Sequence, residues 1–172
     1  MRSVAEVREP ERAARQGGRA SPAPADVGCV IEIRPLRPED VESVDRHLPL
    51  DRLDQPGGEF LVAWEDGIPV AHVHVDWRHD PPEVQNLFVA ETHRRRGIAT
   101  LLSVAAEERV RERGFAHVAL DVDVENGPAR ALYEKLGYRE RGTPPRHEVG
   151  TITLRGKPFS YDAVLIDLVK EL

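Results

Sequence analysis

The chain has 172 residues, 40% hydrophobic and 31% charged, with a formal net charge of -6 at pH 7. That length suits one domain with a real core, no apolar run approaches the roughly 18 residues of a membrane-spanning helix, and the acidic surplus argues against non-specific nucleic-acid binding. A single cysteine, Cys29, excludes an intrachain disulfide and a cysteine-based zinc cluster, so a reducing, cytoplasmic setting without membrane partners is expected.

Residues 1–28 are dominated by Ala, Arg, Glu, Gly and Pro and keep no helix or strand period beyond a weak helical stretch near Arg8 to Arg15, which predicts a disordered tail. The tail lacks a signal peptide's apolar segment, and Glu6, Glu9 and Glu11 count against an organelle transit peptide. One domain is expected over 30–172. Ile31 and Ile33 alternate with Glu32 and Arg34 as in a half-buried strand that Pro35 ends, and Val41, Val44 and Leu48 mark the apolar stripe of a short helix. A proline- and glycine-punctuated loop fills 49–59. Residues 60–64 and 68–77 then read as a hairpin around the turn Glu65-Asp66-Gly67.

After the break at Pro81-Pro82, residues 84–89 form the next strand. Ile98, Leu101, Leu102, Ala105 and Val110 line a helix that Gly114 stops. A strand over 117–124 carries acids on one face. Asn126-Gly127-Pro128 opens a helix closed by Gly137. Residues 138–141 start a late strand, 142–161 form a long connection with a two-stranded excursion at 151–154, and 162–168 close the fold as a buried strand. This order predicts a mixed sheet with parallel and antiparallel pairs and helices on both faces.

The most informative stretch is the turn between residue 89 and the helix beginning near Ile98. It carries Arg94, Arg95, Arg96 and Gly97. The first amides of a helix lack intrahelical acceptors and sit at the positive end of the helix dipole, so the turn is suited to phosphate. Neither the three-glycine dinucleotide string nor the lysine-containing triphosphate loop occurs. Arg94-x-x-Gly97-x-Ala99, after a strand and before a helix, instead resembles the Q/R-x-x-G-x-G/A acetyl-CoA motif of the GNAT superfamily of N-acetyltransferases. A second segment, Asn126-x-x-Ala129-x-x-Leu132-Tyr133-Glu134-Lys135-x-Gly137-Tyr138, is similar to that family's N-x-x-A-x-x-L-Y-x-K-x-G-F/Y pattern.

The resemblance implies an α/β fold with a mostly antiparallel sheet, two splayed parallel central strands and helices on both faces. It implies acetyl-CoA as co-substrate, no metal, and a monomer or homodimer. The cofactor would pair with the strand at Leu87, Phe88 and Val89, meet the turn at Arg94, Arg95, Arg96, Gly97, Ile98, Ala99 and Thr100, and be held from the second side by Asn126, Arg130 and Tyr133. Tyr133 would act as the general acid toward the leaving sulfur. An ammonium with a pKa near 10.4 costs roughly 4–5 kcal/mol to deprotonate at pH 7, so a base is expected: Asp121 first, Glu83 next, or an ordered water chain. A non-catalytic acyl-CoA-binding module and a protein N-terminal or lysine acetyltransferase are the alternatives on this fold.

His72, His74 and Asp76 share one strand face by their period of two, as a metal site requires. No convincing third-ligand motif accompanies them, so lining of a substrate cleft is favoured over a metal, and surface exposure is expected ahead of both. The acceptor cleft implied by the fold would be walled by Asp51, Asp54, Glu59, Glu83, Asp121 and Asp123 against Arg52, which suits a small cationic amine. Arg146, Arg155 and Lys157 in the late connection could instead receive a carboxylate.

Overall fold

The computed structural model describes residues 30–50, 56–154 and 157–172. The expected tail, together with Asp51, Arg52, Asp54 and Arg155, lies outside the described residues, as does the side chain of Lys157. Among these residues, eight strands and three α-helices follow in chain order. They are β1 (Ile31–Pro35), α1 (Val41–His47), β2 (Gly58–Glu65), β3 (Ile68–Asp76), β4 (Glu83–Val89), α2 (Ile98–Glu112), β5 (His117–Asp123), α3 (Gly127–Lys135), β6 (Arg139–Glu140), β7 (Arg146–Leu154) and β8 (Lys157–Glu171).

The strands form one sheet in the order β1-β2-β3-β4-β5-β8-β6, with β7 also on β8. Every pairing is antiparallel except β4 with β5. Helix α2 buries Ile98, Leu102, Ala106 and Val110, spaced by four, against Val73, Val75, Val84, Val118 and Leu120. Tyr133 of α3 joins the same cluster. Burying a side chain such as Leu102 contributes about 1.5–3 kcal/mol. Helix α1 covers the other face, where Val44 and Leu48 pack on Phe60, Val62 and Trp64.

Three expectations are corrected. His72 and His74 are buried, each 2% exposed. Alternation assigns a residue to a face and does not say what covers that face; here the Phe60 ring meets His72 edge-on and His74 at a tilt, and Phe88 stacks on His72. Gly58 lies so close that a Cβ there would come within 2.0 Å of His74 Nε2. Residues 142–161 are mainly strand. β7 runs for nine residues and alternates exposed with half-buried positions as far as Thr151, and the closing strand β8 runs for fifteen. One solvated face weakened the apolar signal from which strands are recognised. Finally, Glu59 does not wall an acceptor cleft: its carboxylate accepts from Arg109 (2.8 Å) and Arg113 (3.3 Å) near the end of α2.

The parallel pair positions the site. β4 and β5 share a single register pair, Glu83 with Ala119, next to a bond from the Ala119 amide to the Pro82 carbonyl (3.0 Å). Beyond it they part. The β3–β4 register slips between His72 and His74, so β4 carries an extra residue there, and Asn86 takes φ 51°. Asparagine accepts this left-handed conformation better than most residues, and such a bulge bends and twists its strand. β4 therefore leaves β5 open along one edge.

Candidate functional site

A groove of about 590 Å3 occupies this gap. Leu87, Phe88 and Val89 form one wall; Asp121, Val122 and Asp123 form the other; Arg94, Arg95, Gly97, Ile98, Ala99 and Thr100 close one end; and Asn126 and Tyr133 come from α3. Asp121 and Tyr133 thus share one cavity with most of the residues expected to hold a cofactor.

Helix α2 starts without a side-chain cap, because Gly97 stands at the N-cap with φ 81° and ψ 0°. The first-turn residues Ile98, Ala99 and Thr100 line the groove and receive no side-chain cap, as an anion site requires. Arg94 is fixed by a bond from Nε to the Val89 carbonyl (3.1 Å). Arg96 lies outside the groove lining. Its guanidinium forks onto Glu65, through Nη1 at 3.1 Å and a second bond from Nη2. Glu65 also meets His93 Nε2 (3.0 Å), so the hairpin turn between β2 and β3 braces the arginine turn. Helix α3 is capped by Asn126, whose Oδ1 accepts from the Ala129 amide (3.1 Å). Arg130 points elsewhere: it is exposed, donates to the Val124 carbonyl (3.3 Å), and borders a separate depression with Glu134 and Tyr138.

Tyr133 is 7% exposed and meets the Tyr138 ring edge-on at 5.4 Å. Burial raises its pKa, so the phenol stays protonated throughout the physiological range. Glu83 is 8% exposed and outside the groove lining; it accepts from Gln85 Nε2 (2.6 Å) and lies 3.5 Å from His79 Nε2. Asp123 lines the groove while one of its oxygens accepts from the Glu125 amide (3.0 Å).

Asp121 has the most perturbed environment. It sits opposite Asp167 in the β5–β8 register, and Arg146 of β7 reaches both: Nη2 donates to Asp121 Oδ2 (2.9 Å) and Nη1 to Asp167 Oδ1. Thr143 donates to the other Asp167 oxygen (2.6 Å). Burial, a hydrogen bond with Asp167 and the charge of Glu83 push Asp121 up to about 7 despite Arg146. Burial also pushes Asp167 upward, but Arg146, the Asp121 carboxyl and Thr143 outweigh it and hold Asp167 well below the usual carboxylate range. Sequence reasoning missed Asp167 and Thr143 as site residues and the partnership of Arg146. The one signal was an acid within the apolar run of residues 163–169.

His72 Nε2 meets the Pro49 carbonyl (2.7 Å), Asp76 accepts from Arg78 (2.6 Å), and among the described residues no group of three His, Cys, Asp or Glu is placed to hold a metal ion. Nor is any described helix long and apolar enough to cross a membrane.

The sequence model of the Acetyltransferase (GNAT) family matches residues 30–138. An uncharacterized N-acetyltransferase of Methanocaldococcus jannaschii is 35% identical over 99 residues, covering 54% of this chain and 43% of its own. An N-alpha-acetyltransferase of Sulfurisphaera tokodaii is 30% identical over 128 residues, 67% of this chain and 75% of its own. The chain thus spans less than half of the first relative and three quarters of the second. A solved Bacillus subtilis acetyltransferase in complex with CoA shares the fold, with TM-score 0.64, 18% identity, and coverage of 83% of this chain and 99% of that one.

Proposed function

The chain belongs to the acetyltransferase (GNAT) family, and we propose that it moves an acetyl group from acetyl-CoA to the primary amine of a small cationic acceptor by direct attack. One observation carries the reading: an uncapped helix N-terminus flanked by arginines opens onto the same groove as Tyr133 and Asp121. Acetyl-CoA supplies an activated acyl group whose leaving thiolate has a pKa near 8.5.

The amides of 98–100 bind the diphosphate with Arg94 and Arg95 beside them, and the exposed backbone of Leu87 and Val89 pairs with the pantetheine arm. Arg96 contributes through its grip on Glu65, and Arg130 only as a peripheral charge. Asp121 is the base. Raised to about 7, it is a better proton acceptor than an ordinary carboxylate and is still ionised in the upper part of the physiological range. Glu83, paired with Ala119 two residues before Asp121, adds negative charge that attracts an ammonium. Tyr133 donates a hydrogen bond to the departing sulfur. Complete transfer from a phenol to a thiolate is uphill, so Tyr133 stabilises the developing charge, and a proton released by the amine makes the thiol.

Glu83, Asp121 and Asp167 occupy one sheet face with Arg146 among them, a surplus of negative charge that favours a cationic acceptor. The name of the Sulfurisphaera tokodaii relative favours a second reading, acetylation of a protein N-terminus. Polyamines, amino sugars, amino-acid amides and short peptides, assayed by CoA release at low and high salt, separate the two. Salt-sensitive turnover of small amines supports the first reading, and turnover confined to peptides supports the second. Acetyl-CoA binding without turnover of any amine would leave a non-catalytic module.

A further inference from the structure

The late hairpin reaches the reacting end of the groove through one guanidinium. Arg146, at the start of β7, spans two carboxylates that face each other on adjacent strands, Asp121 of β5 and Asp167 of β8. The two acids are not equivalent. Asp167 has both oxygens engaged, one by Arg146 and one by the Thr143 hydroxyl, and does not line the groove, whereas Asp121 does. Two carboxylates in hydrogen-bonding range cannot both ionise without strong repulsion, and one guanidinium offsets only part of it.

We propose that Asp121 and Asp167 titrate as one unit holding a single shared proton on the Asp121 side, and that Asp167 and Arg146 are positioning residues which set the pH at which Asp121 becomes a base. This rests on the reading of Asp121 as the base only for its catalytic consequence; the shared proton is a property of the free protein. Thr143 and Arg146 anchor Asp167 as the permanent anion. Its charge holds the proton on Asp121, and Arg146 draws it off. The other groups facing the pair are Glu83 of β4 with His79 behind it, Asp123 on β5, Glu148 of β7 at 3.5 Å from Arg146 Nε, and the neutral Tyr133 of α3. Glu83 and Glu148 act in the same sense as Asp167. The raised value at Asp121 and the lowered one at Asp167 agree with this division, and the apparent values belong to the pair.

The test is carbon-13 carboxyl NMR of the full chain labelled at aspartate, with Asp121→Asn to assign the signal. Asp167→Asn removes the neighbouring anion with little change of shape, so the Asp121 midpoint should fall by at least one pH unit. Arg146→Gln removes the cation, so it should rise by at least one, while Arg146→Lys should shift it less than half as far. A purely structural role would not move the midpoint in opposite directions. Midpoints that stay put, or move the same way in Asp167→Asn and Arg146→Gln, overturn the proposal. The acidic limb of kcat/KM, measured on the same variants, addresses the base assignment separately. Midpoints that move as expected while the limb stays fixed uphold the paired titration and remove Asp121 as the base.

Discussion

Replacing Gly97 by alanine separates what this residue does for folding from what it does for binding. Gly97 holds φ 81° at the start of α2, and a Cβ built there meets no protein atom within 4 Å. The folding cost is therefore that of the left-handed backbone alone, about 1–2 kcal/mol. For a chain of this size that lowers Tm by roughly 2–8 °C. The added methyl stands at the mouth of the groove, beside amides that have no cap. Loss of one charge-assisted bond costs about 1.5–3 kcal/mol, which is roughly a 10- to 100-fold weaker Kd for acetyl-CoA. Gly114→Ala is the internal control: Gly114 has φ 85° and equally open surroundings, but it lies beyond the far end of α2, about 22 Å away at 1.5 Å per residue. Calorimetric melting should give both variants similar losses, and isothermal titration should weaken binding in Gly97→Ala alone. Equal affinity in the two variants would refute the assignment of the turn to the diphosphate.

Tyr133→Phe should lower kcat by about 100-fold or more while leaving acetyl-CoA affinity within about twofold, because only a hydrogen bond to the charge developing on the sulfur is lost; parental kcat from pH 6 to 9 would rule the phenol out. His72 gives the fold an acid-sensitive element, since burial lowers its pKa from 6.5 to about 4, partly offset by the backbone of Pro49 and Asn86. The unfolded chain takes up this proton below pH 6.5 and the folded chain only near 4. The contribution is thus complete above pH 6.5 and is lost progressively as the pH falls toward 4, by about 3 kcal/mol in all. Urea titrations of His72→Gln, which cannot titrate, should show that much less loss across the window; a constant difference between the two proteins would contradict the assignment.

Much of the fold was legible because its punctuation is local. Pro35, Gly97, Gly114 and Gly137 end or open elements where backbone chemistry demands it, and the arginine turn and Asn126 sit directly against helix starts. What escaped the sequence depends on partners far apart in the chain. The facing of Asp121 and Asp167 is fixed by a strand register between residues 46 positions apart, and no local pattern announces that Arg146 forks between them. The groove exists because Asn86 makes a bulge, and an asparagine inside an apolar strand reads equally well as a solvated position. His72 and His74 were assigned the right face, but the aromatic cover over that face was not visible. Arg96 belonged to the motif, yet its guanidinium turns to Glu65, an acid of an unrelated hairpin.

The central claim is that the groove holds acetyl-CoA with its reacting end between Asp121 and Tyr133. A crystal structure of the full chain with CoA measures this directly. The account predicts the diphosphate on the amides of 98–100 and the sulfur within about 3.5 Å of the Tyr133 hydroxyl, on the Asp121 side of the gap between β4 and β5. A diphosphate bound away from the turn, or a sulfur that cannot reach Tyr133, would contradict it.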